Sequence, residues 1–277
     1  ARMIRNVLSI AGSDPSGGAG IQADLKAFSA RGTFGMAALT ALTAQNTQGV
    51  SAVHLLPPEF VAAQIRAVFA DVRVDAVKIG MIANTEIAEA VADALTPHRG
   101  LPMVLDPVMI AKGGAALLDP HAVETLKARL LPLATLVTPN LPEAAALAGR
   151  PEATSRAEMA AQARALLALG PTMALVKGGH LGGATSPDIL IGPDGETWFE
   201  AERTETKNTH GTGCSLSSAI AAELAKGARP AQAVARAKAW LAEAVRRSGD
   251  LTVGSGHGPV HHFHALWQSS QAAEVTT

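Results

Sequence analysis

Residues 206–214 read Thr206-Lys-Asn-Thr-His-Gly-Thr-Gly-Cys214 and run without a break into Ser215-Leu-Ser-Ser-Ala-Ile-Ala-Ala-Glu-Leu224, a small glycine-rich loop feeding an apolar helix. Backbone N–H groups at a helix start lack intrahelical partners, and the helix dipole adds positive partial charge there. Such a junction binds anions, phosphates above all. Cys214, the one cysteine of the chain, stands at this junction, where the same field is expected to make its thiol more acidic than a free one. The residue types leave three uses for it open. It could be a small buried apolar group, a nucleophile with His210 or His180 as base, or a tunable acid/base beside a bound anion.

Other residues carry complementary chemistry. Gly12-Ser-Asp-Pro-Ser-Gly-Gly-Ala-Gly20 follows a strand pattern and opens a helical one; it suits a ligand loop or a tight turn equally and matches neither the Walker A nor the dinucleotide fingerprint. Asp106 precedes Pro107, and Asn140 and Glu143 lie in Thr138-Pro-Asn-Leu-Pro-Glu143. Carboxylates so placed suit Mg²⁺, which takes few protein ligands and completes its shell with water and phosphate oxygens. Asn140 and Pro142 read equally as a helix cap and a helix start. Lys177, after Met173-Ala-Leu-Val176 and before two glycines, offers an ammonium to a phosphate. Gly256-His-Gly-Pro-Val-His-His-Phe-His264 holds four histidines. Their spacing fits no structural zinc site, and the favoured reading is a terminal segment packing Phe263 and Trp267 onto the body.

The elements that must position these residues follow from periodicity. Strand patterns fall at 7–11, 37–44, 76–79, 103–108, 134–138 and 173–176, with an edge piece at 50–55. Helical patterns begin near residue 21 and cover 59–70, 85–95, 120–130, 155–169, 214–226 and 230–247. Alternation of this kind predicts a mostly parallel sheet covered on both faces. Runs at 188–191 and 197–200 flank Gly192-Pro-Asp-Gly195, a hairpin signal. The strand ends carry Gly12, Gln45-Asn46, Gly80-Met81, Asp106, Asn140 and Lys177, and ligands of an open parallel sheet gather at that edge. A single α/β domain over 1–267 with a frayed tail over 268–277 is expected.

Composition narrows the class. Twenty-three basic and twenty-four acidic residues leave a net charge of −1, without the basic excess that nucleic acid or an anionic membrane attracts. No apolar run reaches the roughly 20 residues of a membrane span. One cysteine cannot form an internal disulfide, which fits the cytoplasm. The opening Ala-Arg-Met-Ile-Arg-Asn enters a strand pattern too soon for a signal peptide.

Taken together, Ala11-Gly-Ser-Asp-Pro-Ser-Gly-Gly-Ala-Gly-Ile-Gln-Ala-Asp-Leu-Lys26, Val104-Leu-Asp-Pro-Val-Met109, Thr138-Pro-Asn-Leu-Pro-Glu-Ala144, Lys177-Gly-Gly-His180, Asn208-Thr-His-Gly-Thr-Gly-Cys214 and Gly258-Pro-Val-His-His-Phe-His-Ala-Leu-Trp267 resemble the bacterial hydroxymethylpyrimidine/phosphomethylpyrimidine kinases. The resemblance runs in unbroken order from about residue 4 to 267. It implies a ribokinase-like three-layer α/β/α sandwich with a mostly parallel central sheet. It implies an ATP-dependent kinase that phosphorylates 4-amino-5-hydroxymethyl-2-methylpyrimidine and then its monophosphate, for thiamine biosynthesis. Gly211, Thr212 and Gly213 would form the anion hole, with Cys214 as base and Lys177 on the phosphate. Gln45 would hydrogen-bond the aminopyrimidine, and Gly12, Ala19, Asp24, Met81 and Val108 would line its pocket. Asp106, Asn140, Glu143, Lys177 and Lys238 would serve ATP, with Asp106 and Glu143 on Mg²⁺. A cytoplasmic homodimer is implied, with no nucleic-acid or membrane partner. Ala111-Lys-Gly-Gly-Ala-Ala116 departs from the Ser-Gly-Asp loop of many relatives. The alternatives are a pyridoxal or pyridoxine kinase on the same fold, a cysteine-dependent hydrolase or acyltransferase using Cys214, and a non-catalytic ligand-binding regulator.

Overall fold

The structure is a computed structural model and describes residues 3–111 and 113–267. Its centre is an eight-stranded sheet in the order β10-β9-β8-β7-β6-β5-β1-β2. Strands β1 (Asn6–Ala11), β2 (Phe34–Leu39), β5 (Ala76–Ile79), β6 (Met103–Leu105), β7 (Leu136–Val137) and β8 (Met173–Lys177) run parallel. The hairpin of β9 (Thr185–Gly192) and β10 (Gly195–Glu202) adds antiparallel to β8 around the Pro193-Asp194 turn. Helix α1 (Gly20–Ala30) connects β1 to β2 on one flank, whereas later strands build outward on the other, so the strand order switches at β1 and β5.

Side chains of a strand alternate between faces, and this alternation sorts the core into two layers. Leu8, Ile10, Val77, Ile79, Leu105 and Val176 pack with residues of α2 (Pro58–Asp71), α3 (Thr85–Leu95), α5 (Leu141–Ala148) and α6 (Arg156–Leu167). Val7, Ala76, Val104, Leu136 and Leu175 pack on the opposite face with α1, α7 (Thr212–Ala225) and α8 (Pro230–Arg246). Helix α7 is buried all along from Ser215 to Ala225, which is why its sequence is apolar or small on every side. The sandwich has the three layers that the resemblance implies.

Several expected elements take another form. The run at 37–44 is broken at Thr40: β2 stays in the main sheet, while β3 (Ala41–Asn46) pairs with β4 (Gly49–Leu55) in a separate two-stranded hairpin. Thr40 makes the break by donating its N–H to Ala11 O at 3.0 Å and its hydroxyl to Met81 O at 2.6 Å. Hydrophobicity is alike on both sides, so pattern cannot see the corner. The strand expected at 103–108 ends at Leu105, ahead of Pro107, which has no N–H to give. The helix at 120–130 becomes α4 (Ala122–Thr125), a π turn over Leu126–Leu130 and a 3₁₀ turn over Leu131–Leu133 that contains Pro132. The expected tail over 268–277 and Lys112 of the 111–116 loop lie outside the described residues.

Candidate active site

A cavity of about 1040 Å³ opens at the carboxyl ends of β1, β5, β6, β7 and β8, beneath the β3–β4 hairpin and beside the start of α7. Its position is the crevice expected at a strand-order switch. Of the residues the sequence singled out, Gly12, Ala19, Gln45, Met81, Asp106, Val108, Asn140, Glu143, Lys177, Gly211, Thr212, Gly213, Cys214 and Lys238 all line it.

Alternation within strands explains how the charges meet. Two residues beyond Val104 on the same face comes Asp106, and two beyond Leu175 comes Lys177. Lys177 Nζ stands 4.0 Å from Asp106 Oδ1, and the two side chains are 16% and 4% exposed respectively. Asn140 caps α5 by accepting from Glu143 N at 2.9 Å, while its own N–H donates to Glu143 Oε1 at 3.2 Å. This capping box pins the Glu143 carboxyl at the cavity, so capping and site placement are one feature. Burial, and then the charge of Asp106, raise the Glu143 pKa to about 7, with Lys177 and the Asn140 N–H opposing. Burial works against the Lys177 charge, but Asp106, Glu143 and Asp188 outweigh it and hold its pKa above the ordinary value. Lys238 pairs with Asp188, whose other oxygen accepts from Gly178 N at 3.0 Å.

The loop before α7 is shaped by a glycine that no other residue could replace. Gly211 takes a left-handed conformation with φ 76°, and a Cβ there would meet Gly18 O at 1.8 Å. Only glycine fits that position. The N–H groups of Thr212 and Ser215 are satisfied by Thr209 O and Gly211 O. Those of Gly213 and Cys214 have no acceptor in the described chain and face the cavity end of the helix dipole. A methyl on Gly213 would stand 3.4 Å from Lys177 Nζ and 3.6 Å from Asp106 Oδ2, so the bare backbone leaves room between the cation and the carboxylate.

Two expectations are corrected. Asp24 does not line the pocket. It is wholly buried on the α1 side of the sheet, where its carboxylate accepts from Ser9 Oγ at 2.6 Å, Ser218 Oγ at 2.7 Å and Lys78 Nζ at 2.8 Å. It therefore ties α1, β1, β5 and α7 together. The Cys214 thiol is also not acidified. Burial pushes it up to about 11; Lys78 pulls it down, and Asp24 and Asp106 push it further up. Loss of hydration outweighs the pull of Lys78 and of the Gly20 N–H, and at neutral pH the group is a thiol.

Sequence reading also missed partners. Lys78, fully buried, sits at an inward position of the apolar strand β5; a charged residue inside an apolar strand was the available signal. Asp14 and His210 meet at 2.9 Å although 196 residues separate them, and no local pattern announces that. The histidine-rich segment packs through residues other than those expected: His261, His262 and His264 are buried, whereas Trp267 is 50% exposed and its ring meets that of Phe263 in the same segment at 5.4 Å. His262 Nε2 lies 2.8 Å from Ser215 Oγ.

The family sequence model described as phosphomethylpyrimidine kinase matches residues 14–261. Over 262 residues the chain is 57% identical to the hydroxymethylpyrimidine/phosphomethylpyrimidine kinase of Salmonella typhimurium, covering 95% of this chain and 98% of that protein. Among solved structures it is similar to a phosphomethylpyrimidine kinase from Clostridium difficile, with a TM-score of 0.78 and 44% identity over 87% of this chain and 99% of that one. It is similar as well to the pyridoxal kinase of Bacillus subtilis in an ADP complex, with a TM-score of 0.86 and 36% identity over 95% of this chain and 99% of that one.

Proposed function

The chain belongs to the phosphomethylpyrimidine kinase family, and from that premise we propose that it moves the γ-phosphoryl group of ATP onto the hydroxymethyl oxygen of 4-amino-5-hydroxymethyl-2-methylpyrimidine. The resulting monophosphate is phosphorylated in turn, giving the diphosphate used in thiamine biosynthesis. One observation carries the reading. A single cavity joins a phosphate-binding half, made by Lys177, Gly213 and Cys214 N–H, Asp106 and Glu143, to the carboxamide of Gln45.

Phosphoryl transfer passes through a loose transition state, so the protein mainly positions groups and neutralises charge. The N–H groups of Gly213 and Cys214 and the Lys177 ammonium hold the transferring oxygens. Lys238, beside Asp188, serves the nucleotide, and Asn140 fixes Glu143. Two neighbouring carboxylates, one with its pKa raised by burial and then by the other, are a donor set that Mg²⁺ suits. Among the described residues no group of three or more His, Cys, Asp or Glu side chains is placed to hold a metal, so the ion would rest on Asp106 and Glu143 and complete its shell with phosphate and water. There it would neutralise charge on the phosphates. Gln45 orients the aminopyrimidine. Cys214, protonated at neutral pH, holds the substrate hydroxyl and can accept its proton only as the minor thiolate form. A loose transition state asks little of a base, and the second acceptor, a phosphate, asks nothing.

The test is ADP release with the pyrimidine alcohol, with mass detection of mono- and diphosphate. Absence of both products at saturating Mg²⁺ and ATP refutes the reading. A pyridoxal or pyridoxine kinase is the competitor, favoured by the likeness to the Bacillus subtilis structure; the ratio of kcat/KM for the two alcohols separates them. A cysteine hydrolase finds no support in a thiol driven to high pKa. The protein works as one catalytic unit over 1–267, in the cytoplasm, without nucleic-acid or membrane partners, and as a homodimer. In support, the net charge is −1, no helix among the described residues is long and apolar enough to cross a membrane, and the β3–β4 hairpin exposes Leu42, Val53 and Leu55.

A further inference from the structure

Gln45 lies in β3 where the register with β4 shifts between Ala44 and Gln45, and its carboxamide lies between two side chains. One end stands 3.1 Å from Thr43 Oγ1, the other 3.4 Å from His210 Nε2. The polarity of both contacts follows from what lies behind them. Asp14 accepts from Ser16 N at 2.9 Å, Ser16 Oγ at 2.6 Å, Gly18 N at 3.2 Å and Ala19 N at 2.9 Å. Burial works against its charge, but His210 and then Ser16 outweigh it and hold its pKa at about 2, so it is an ionised carboxylate that can only accept. His210 Nε2, 2.9 Å from Asp14 Oδ2, must therefore carry a hydrogen. On the other side the Thr43 hydroxyl donates to Ser13 O at 2.8 Å, and its one hydrogen is used.

With its nitrogen toward His210, Gln45 would set donor against donor, and Thr43 would need a second hydrogen. Exchanging the amide oxygen and nitrogen, which have almost the same shape, removes both conflicts. We propose that Thr43, Asp14 and His210 are positioning residues that lock the Gln45 carboxamide with its oxygen toward His210 and its nitrogen toward Thr43, and thereby select an aminopyrimidine ring. The Thr43 contact uses one N–H of the amide, while the hydrogen of His210 Nε2 goes chiefly to Asp14 and faces one lone pair of the Gln45 oxygen across 3.4 Å. A carboxamide has two of each, so one N–H and one lone pair stay free for a ligand in the cavity. A ring nitrogen flanked by an amino group takes both. A pyridine nitrogen flanked by carbon substituents takes only the N–H. Discrimination thus rests on an amide held against turning, because a turned amide would set its N–H against the His210 N–H and its oxygen against the Thr43 oxygen.

The inference rests on the substrate reading above, and its test separates the two. Thr43→Val should raise KM for the pyrimidine alcohol about tenfold, the size of one hydrogen bond. The kcat, the KM for ATP and the KM for pyridoxine should each move less than about twofold, and Thr43→Ser should restore the wild-type values. Equal losses on both alcohols, or unchanged kinetics, would overturn the proposal. In the ligand-free protein, the nitrogen NMR spectrum should show His210 with Nε2 protonated, and a bare Nε2 overturns the relay whatever the substrate. Wild-type protein that phosphorylates pyridoxine and not the pyrimidine alcohol would sink the substrate reading, and the claim of selectivity with it.

Discussion

Glu143→Gln should remove a pH-dependent penalty from the folded protein. Glu143 is 8% exposed, and burial followed by the charge of Asp106 lifts its pKa to about 7 from the ordinary 4.5. A carboxyl whose pKa is higher folded than unfolded holds more protons in the folded state, so folding stability falls as pH rises between these values. Its favourable contribution is complete below about pH 4.5 and gone above about pH 7, a span of about 3 kcal/mol. Glutamine keeps the capping box on Asn140 and removes only the ionisation. In urea titrations the stability of the variant relative to wild type should rise steadily from about pH 5 to 8, by up to about 3 kcal/mol. Mg²⁺ should shrink that gap at the alkaline end, because the ion favours the ionised wild-type carboxylate. A difference between the two proteins that does not change with pH would refute the argument that burial and Asp106 control this group.

Cys214 is the only thiol in the chain, so alkylation reads it directly. With its pKa near 11, its iodoacetamide rate at pH 7.5 should be about 100-fold below that of a free cysteine, and a rate midpoint under pH 9 would contradict the burial argument. Cys214→Ala should slow the first phosphorylation more than the second, measured by separate assays of the alcohol and the monophosphate; equal losses would count against any proton-handling role. Lys78→Met or Asp24→Asn should each cost about 3–5 kcal/mol in urea unfolding, because each leaves a buried partner unpaired. The double variant Lys78→Met/Asp24→Leu should recover most of that loss, and single changes costing under about 1 kcal/mol would show the pair to be incidental. Gly211→Ala should lower both stability and kcat, whereas Gly227→Ala, with φ 89° and open space around its Cβ, should pay only the backbone strain of about 1–3 kcal/mol. Matching behaviour of the two variants would mean that contact with Gly18 does not shape the loop.

Much of the fold was legible because its signals are local. The helix expected over 85–95 is α3, Thr85–Leu95, capped by the Asn84 side chain on Ile87 N. The Gly192-Pro-Asp-Gly195 turn does join two antiparallel strands. The corner at Thr40 stayed hidden because its hydrogen bonds go to Ala11 and Met81, residues that no window of periodicity relates to it. Asp24 misled for the opposite reason. Its motif lies beside the ligand loop, but its direction along α1 carries it under the sheet, among Ser9, Lys78 and Ser218.

Sequence by itself determined most of the strands and helices, that polar and glycine residues collect at one edge of the sheet, and that the loop before Cys214 opens a helix. Period and spacing carry that information, and both are written within a few residues of each other. Only the tertiary structure decided how these groups behave. Hydration lost on burial turned the expected acidic thiol into one with a pKa near 11, and burial, with Asp106 beside it, made Glu143 a weak acid. Asp14 and His210, 196 residues apart, became one hydrogen-bonded pair. Desolvation and charge proximity are properties of positions in space, and the chain acquires those positions only by folding.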